Sequence, residues 1–339
     1  MQKTIRIVDS PSSLNSAWDD LANFYFQKRE FLFHLHRYNH CKQSYYELYY
    51  NGILVSGAVV YTLVIDLFTF SGIKSPVSMR VIGLPASIAC EPLIGDPHTF
   101  GFLLQEIIRT ERGFIVGINF LRDYLSSKKV VALRTLPTVI LKPEAVDMAA
   151  YGKALRHPYR RRMRRVQERF NGVCAVRSDC SGFSEAHYAL YLQIMDRTRT
   201  KLETLSFECF RNLPANFLLT TYYDGSKMLC WHVVCLDGDV LFFFFGGMSY
   251  SLQQRYASYY NSLFGILSLA LEKGYKEIDF GQTAETAKMY LGGMLSERRL
   301  FLYHRNPLIL LLIRLFRRFI GYRRYTAGYK VFKNRDIHQ

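Results

Sequence analysis

The sequence predicts an α/β fold with mixed sheets, arranged in two successive halves. Three observations predict it. Apolar stretches with strand patterning are followed repeatedly by stretches with helical spacing, all along the chain. The order of these elements runs through a similar series twice, although no sequence repeat links the halves. The chain of 339 residues, 49% apolar and 21% charged, exceeds one average domain and suffices for two sizeable cores.

The first half opens with a strand over 4–8 and a helix over 10–28, for which Ser13 or Asn15 is a possible cap. Residues 31–40 alternate apolar residues with His and Arg, a strand pattern that puts His34 and His36 on one face. Residues 45–50 and 54–70 form a hairpin about Asn51-Gly52, a strong turn signal. A strand over 77–84, an amphipathic helix over 98–113, a buried strand over 114–120 and a strand over 130–141 follow.

Residues 143–171 read as one helical region broken at His157-Pro158. Its second part sets Arg160, Arg161, Arg164 and Arg165 around Met163, Val166 and Phe170. Beyond it come a strand over 173–177, helices over 183–199 and 207–213, and strands over 217–223, 227–236 and 239–247. Asp224-Gly225 and Asp237-Gly238 join those three strands as an antiparallel meander.

From Pro307 the character changes. The apolar run 308–313 is far shorter than the ~20 residues that span a bilayer. Wound as a helix, it places Leu308, Leu311, Leu312, Leu315 and Phe319 on one face, beside Arg314, Arg317 and Arg318. Such a basic amphipathic helix lies in a membrane interface, or else it closes over the second core. Charge follows the same division. Residues 151–170 hold eight Lys/Arg against one Glu, and 305–339 hold nine against one Asp, so two patches carry nearly all of the net charge of +16. Patches of this kind imply an anionic partner: phospholipid, tRNA or a phosphate-bearing donor.

Seven cysteines without a CxxC pair argue for reduced thiols in a cytosolic protein, and against a disulfide framework or a zinc site. The nine His have no metal-ligand spacing, so no metal is expected. No secretory signal is visible at Met1-Gln2-Lys3-Thr4.

The stretch 276–303 organises the reading. A helix ending at Gly274 leads into Lys276-Glu277-Ile278-Asp279-Phe280-Gly281, a short strand that stops at a Gly turn. Residues 284–291 favour helix, Gly292-Gly293 breaks it, and 299–303 is the next strand. Asp279 therefore leaves a strand at its carboxyl end, with Gln282, Thr283 and Lys288 on the turn and helix that follow, where open α/β folds place ligands.

Ile278-Asp279-Phe280-Gly281, followed by a polar residue, Lys288, a Gly pair and a strand ending in Tyr303, resembles the C-terminal signature of GNAT-type acyltransferases. The nearest branch is the two-domain one of the Fem-type peptidoglycan-bridge aminoacyl transferases and their exopolysaccharide-associated relatives. Asp279, Phe280, Gly281 and Lys288 match it. Ala287 and Leu291-Gly292 stand where that branch has an aromatic and a Trp-Gly. The resemblance covers most of 150–305 and the first half in outline. It implies two tandem GNAT-like domains, over 1–150 and 173–306, with a basic connecting helix over 151–172 and a basic amphipathic tail over 307–339.

Acyl transfer to an amine needs a base for the ammonium proton and donors for the tetrahedral oxyanion. Asp279 is the first candidate for base or amine-orienting group, and Lys288 suits the oxyanion or a phosphate. Tyr259 and Tyr260 are placed to protonate a leaving group, and His232 in its apolar strand either faces the cleft or is simply packed. GNAT enzymes hold the acyl-CoA pyrophosphate on a Gly-containing loop; the counterpart here, 253–261, has no Gly but offers Arg255. Gln282, Tyr260, Arg160, Arg161 and Arg164 complete the candidates for donor and phosphate contact.

The expectation is a cytoplasmic N-acyltransferase, peripheral on the inner face of the membrane. It would move an acyl or aminoacyl group to an amine of an envelope precursor, glycan or peptide. No tightly bound cofactor is expected; acyl-CoA, acyl carrier protein or aminoacyl-tRNA would serve as donor. The alternative is a non-catalytic GNAT-like module that binds anionic lipid or RNA. No G-x-S-x-G or Cys-His signature supports a hydrolase, and the scattered glycines do not support a Rossmann domain.

Overall fold

A computed structural model describes residues 2–68, 76–198, 202–323 and 328–333. In chain order its strands are β1 (Lys3–Val8), β2 (Gln43–Tyr50), β3 (Ile53–Asp66), β4 (Pro76–Ile82), β5 (Leu93–Gly95), β6 (Phe114–Phe120), β7 (Val131–Arg134) and β8 (Thr138–Leu141). Then come β9 (Cys174–Ser178), β10 (Phe217–Asp224), β11 (Lys227–Asp237), β12 (Val240–Met248), β13 (Glu277–Asp279), β14 (Met294–Ser296) and β15 (Arg299–His304). The helices are α1 (Trp18–Leu21), α2 (Arg29–Tyr38), α3 (Phe100–Thr110), α4 (Met148–Ala154), α5 (His157–Glu168) and α6 (Glu185–Arg197). They continue with α7 (Phe207–Arg211), α8 (Tyr250–Tyr256), α9 (Ser258–Lys273), α10 (Glu285–Met289), α11 (Pro307–Leu315) and α12 (Arg317–Ile320).

The elements form two compact units. The first holds 1–136, 199–209 and 297–324, around a sheet ordered β1-β2-β3-β4-β6-β15-β7, with β5 paired to β3. The second holds 137–198, 210–296 and 325–339, around the order β14-β8-β13-β12-β11-β10-β9. In each sheet one pair is parallel, β4 with β6 and β12 with β13, and the rest are antiparallel. Each sheet also takes one strand from the other half of the sequence. β15 lies between β6 and β7 of the first, and β8 lies between β13 and β14 of the second. Residues 130–141 are therefore two strands serving two sheets, divided at Leu136-Pro137, since a proline cannot supply the N–H that a continuous ladder needs.

Two elements of the first unit differ from the sequence reading. Residues 31–38 fall on a helix, α2, because Phe31, Leu32, His34 and Leu35 make a buried face while Phe33 points outward. Over so short a run, helical and strand spacings both fit the pattern. The helix expected over 10–28 is reduced to α1 and two 3-10 turns. Polar side chains capture the backbone groups a helix would use: Asn15 N donates to Glu47 Oε1 (2.6 Å), and Asn23 N and Phe24 N both donate to Gln27 Oε1 (2.8 and 3.0 Å). The hairpin at Asn51-Gly52 and the meander β10-β11-β12 are found as expected; the end of the strand drawn to Phe70 lies outside the described residues.

The region 143–171 is α4 and α5, with Pro158 in the first turn of α5, where a missing N–H costs nothing. The tail begins as α11 and α12, and these pack on the first unit: Ile313 and Ile320 are buried in a cluster with Val131, Leu300 and Leu302. The amphipathic helix thus joins the first core rather than closing over the second, while further along the tail Val331 is buried in the second core, with Tyr329 and Phe332 packed against it. No helix among the described residues is long and apolar enough to cross a membrane.

Candidate active site in the second unit

The parallel ladder of β12 and β13 covers only Val240–Phe242 against Glu277–Asp279. Past Asp279 the chain stays with β8, where Phe280 N donates to Val139 O (2.9 Å) and Val139 N to Gly281 O (3.2 Å). β12 meanwhile runs on to Met248, with a register shift against β11 that leaves Phe244 as the bulged residue. The two parallel strands thus stop sharing a ladder at Asp279, and half-buried Phe243, Phe244 and Phe245 follow on β12.

At this point the turn 281–284 carries three left-handed residues: Gly281 (φ 70°), Thr283 (φ 62°) and Ala284 (φ 48°). Only the first is free of a Cβ penalty, so the turn needs holding. Asp279 Oδ1 accepts the Gly281 N–H (2.7 Å) and the hydroxyl of Thr138, itself fully buried on β8. From α10, Lys288 Nζ donates to Gly281 O (3.1 Å) and Gln282 O (2.6 Å), and lies 5.9 Å from the centroid of the Phe243 ring. Lys288 is 2% exposed, and burial pushes its amine down to about 7, against the pull of Asp279 and Glu285. Near neutral pH it is poised between ammonium and free amine.

The structure thus brings Asp279, Lys288 and the backbone of Gln282 into one cluster, together with Thr138 and Phe243. Sequence reasoning missed these last two, since Thr138 arrives on a strand from the other half of the chain. Among the described residues no hydrogen bond, ion pair or ring contact joins Arg255 or Tyr259 to Asp279 or Lys288. Arg255 is exposed at the end of α8, over the Tyr256 ring. Tyr259 opens α9 partly buried, and burial raises its hydroxyl pKa, keeping it protonated. His232 is buried among core residues, with Nδ1 2.9 Å from Ser262 Oγ and Nε2 without a partner; burial pushes it down to about 3, with Arg177 adding to the effect.

A second grouping lies along α5. Arg162 sits over the rings of Tyr290 (4.2 Å) and Tyr260 (5.4 Å), and Tyr290 contacts Tyr329 (4.7 Å). Arg160, Arg161 and Arg164 on the same helix have side chains that make no ion pair or hydrogen bond among the described residues. Arg162 belongs to the run the sequence singled out, and only the fold shows it facing the tyrosines.

The corresponding place in the first unit is filled. The β4–β6 ladder ends at Ile82 and Gly117, and residues 83–94, buried but for half-buried Ser87, occupy the space beyond. Asn119 Nδ2 donates to Ile88 O (2.9 Å), Arg298 Nε to Ala89 O (2.8 Å) and Gln27 Nε2 to Glu91 O (2.7 Å).

Two mixed sheets, each with its one parallel pair at the fourth and fifth strands and a strand inserted beyond, define a two-domain GNAT/Fem-like fold, with the basic helix α5 packed in the second unit and the amphipathic α11 in the first. Solved structures agree. The chain is similar to a tandem GNAT protein from the clavulanic acid biosynthesis pathway, with a TM-score of 0.51 and 9% identity over 90% of this chain and 99% of that one. It is similar to L-PGS from Bacillus licheniformis, with a TM-score of 0.51 and 11% identity over 86% of this chain and 92% of that one. It is also similar to FemX, with a TM-score of 0.50 and 13% identity over 80% and 90%. At these identities the likeness establishes the fold. Compared by sequence, the chain matches no known family and no curated protein.

Proposed function

We propose that the protein is an N-acyltransferase whose reaction takes place beside Lys288 in the second unit. The observation that carries this reading is a buried amine, near 7, at the end of the shared ladder of β12 and β13. The acceptor amine attacks the acyl carbonyl of a thioester or of a tRNA ester. The new C–N bond forms as the C–S or C–O bond breaks. Lys288 in its free-amine form takes the proton from the attacking nitrogen and returns it to the leaving thiolate or ribose oxygen. Asp279 braces the turn that presents the lysine, so the base role suggested by sequence for Asp279 passes to Lys288, in place of its oxyanion or phosphate role, and Asp279 positions it. Tyr259 and Tyr260, Gln282, and Arg255 with the α5 arginines are proposed as donor contacts. His232 is proposed as structural only.

The acceptor is proposed to be an amine of an envelope precursor, glycan or peptide met at the inner face of the membrane. The donor is acyl-CoA, acyl carrier protein or aminoacyl-tRNA. The names of the similar structures, L-PGS, FemX and a GNAT protein, support acyl transfer as the class. The test follows thiol release or tRNA deacylation from each donor class with amine acceptors present. Lys288→Met is expected to abolish turnover while donor binding persists. Absence of turnover with every donor would leave the second reading, a non-catalytic module for RNA or anionic lipid, which the unpaired arginines of α5 favour.

A further inference from the structure

α11 and α12 are apolar on two sides. One side, with Ile313 and Ile320 buried and Ile309 and Leu310 partly so, packs on the first unit's sheet. The other carries Leu308, Leu311, Leu312 and Leu315, spaced as one helical face, and continues into Phe316 and Phe319. These six side chains are between 46% and 68% exposed. A soluble surface rarely leaves so many large apolar groups contiguous. The cations beside them are Arg317, Arg318, Lys128 and Lys129, all exposed. Arg314 fastens the helix to their loop, donating from Nη2 to Lys128 O (2.6 Å) and Ser127 O (3.3 Å). No acidic residue occurs between Arg305 and Arg323.

We infer that this face docks the first unit onto an anionic bilayer, with the Leu/Phe row entering the acyl boundary and the cations meeting lipid phosphates. Charge complementarity selects this occupant: a Leu/Phe row edged by exposed cations with no acidic partner among the described residues suits an interface of acyl chains under anionic headgroups. The contrast with α5 points the same way. That helix has more arginines, yet none of its exposed positions bears a large apolar residue, so it has charge without a wedge. Membrane docking is thus assigned to the first unit, whose strand-end space is filled by its own chain, and the reaction to the second. The surface stands or falls independently of the proposed reaction.

The experiment uses the full chain and two kinds of vesicle, phosphatidylglycerol mixed with phosphatidylcholine, and phosphatidylcholine alone. Co-sedimentation is expected with the anionic vesicles, weakening by about tenfold or more as salt rises, because the Debye length shrinks. Leu311→Asp with Leu315→Asp is expected to abolish binding, and Arg317→Gln with Arg318→Gln to weaken it only for anionic vesicles. Both native tryptophans, Trp18 and Trp231, are 1% exposed, so a Leu312→Trp variant reports on its own position. Its emission is expected to shift to the blue on adding anionic vesicles. Equal binding to neutral vesicles, no binding to either, or an unshifted emission overturns the proposal. So does a stable dimer that the two aspartates dissolve, which would make the face a contact between copies.

Discussion

Replacing Lys288 by methionine tests the buried amine directly, since methionine keeps the chain length and removes the titrating group. The free amine of lysine titrates at 10.5 and the buried one at about 7. Folding lowers the pKa, so the unfolded chain holds the proton more tightly, and stability rises with pH between these two values. The whole penalty of charging the buried amine is about 5 kcal/mol, at 1.36 kcal/mol per unit. Between about pH 6 and about pH 9 the native chain should gain about 3 kcal/mol of stability relative to Lys288→Met. Urea unfolding followed by far-ultraviolet circular dichroism across that range measures both proteins. A stability difference that stays constant with pH would show that Asp279 and Glu285 keep the ammonium charged, and the proton-moving role would fall with it.

Three further outcomes are expected. Residues 1–150 alone lack β15, and 151–339 alone lack β8, so neither half should give a monodisperse folded protein by size exclusion, whereas their co-expression should; a stable folded 1–150 would refute the strand exchange. Gly117→Ala should cost about 1–3 kcal/mol, read by denaturant unfolding, because a Cβ there would come 2.3 Å from the Phe301 ring of β15; an unchanged midpoint would contradict that packing. His232→Leu should leave turnover unchanged. Because folding lowers the histidine from 6.5 to about 3, native stability is lost as pH falls below 6.5. The variant should therefore gain about 3 kcal/mol on the native chain between about pH 7 and about pH 4; equal acid sensitivity would mean that His232 is not held neutral.

The second unit was the more legible half because its signals are local. Asp224-Gly225 and Asp237-Gly238 turn adjacent strands, and Gly274 in the left-handed region ends α9 where its sequence does. The turn after Asp279 was visible for the same reason: strand end, Gly281 and Lys288 lie within ten residues. What sequence could not carry was pairing across distance. Thr138 has no neighbour in sequence that would link it to Asp279, and nothing in residues 299–304 says that they join a sheet begun at Lys3. The helix α2 was misread because eight residues with alternating apolar groups satisfy two periods at once, and tertiary burial decided between them. The role proposed for Lys288 was hidden for another reason: a lysine's charge depends on how much water it keeps, and its 2% exposure is a property of the fold.

The position of β15 has a consequence for synthesis. β6 and β7 are made one after the other, but the strand that lies between them follows much later in the chain. About 165 residues separate Arg134 from Arg299, which at about 5–20 residues per second is a wait of roughly 10–30 s. During that time β6, with six of its seven residues buried in the finished protein, offers a bare apolar edge to whatever is near. A product that ends before Arg299 therefore cannot finish its first sheet, and an exposed β6 edge is the part of the unfinished chain most open to mispairing.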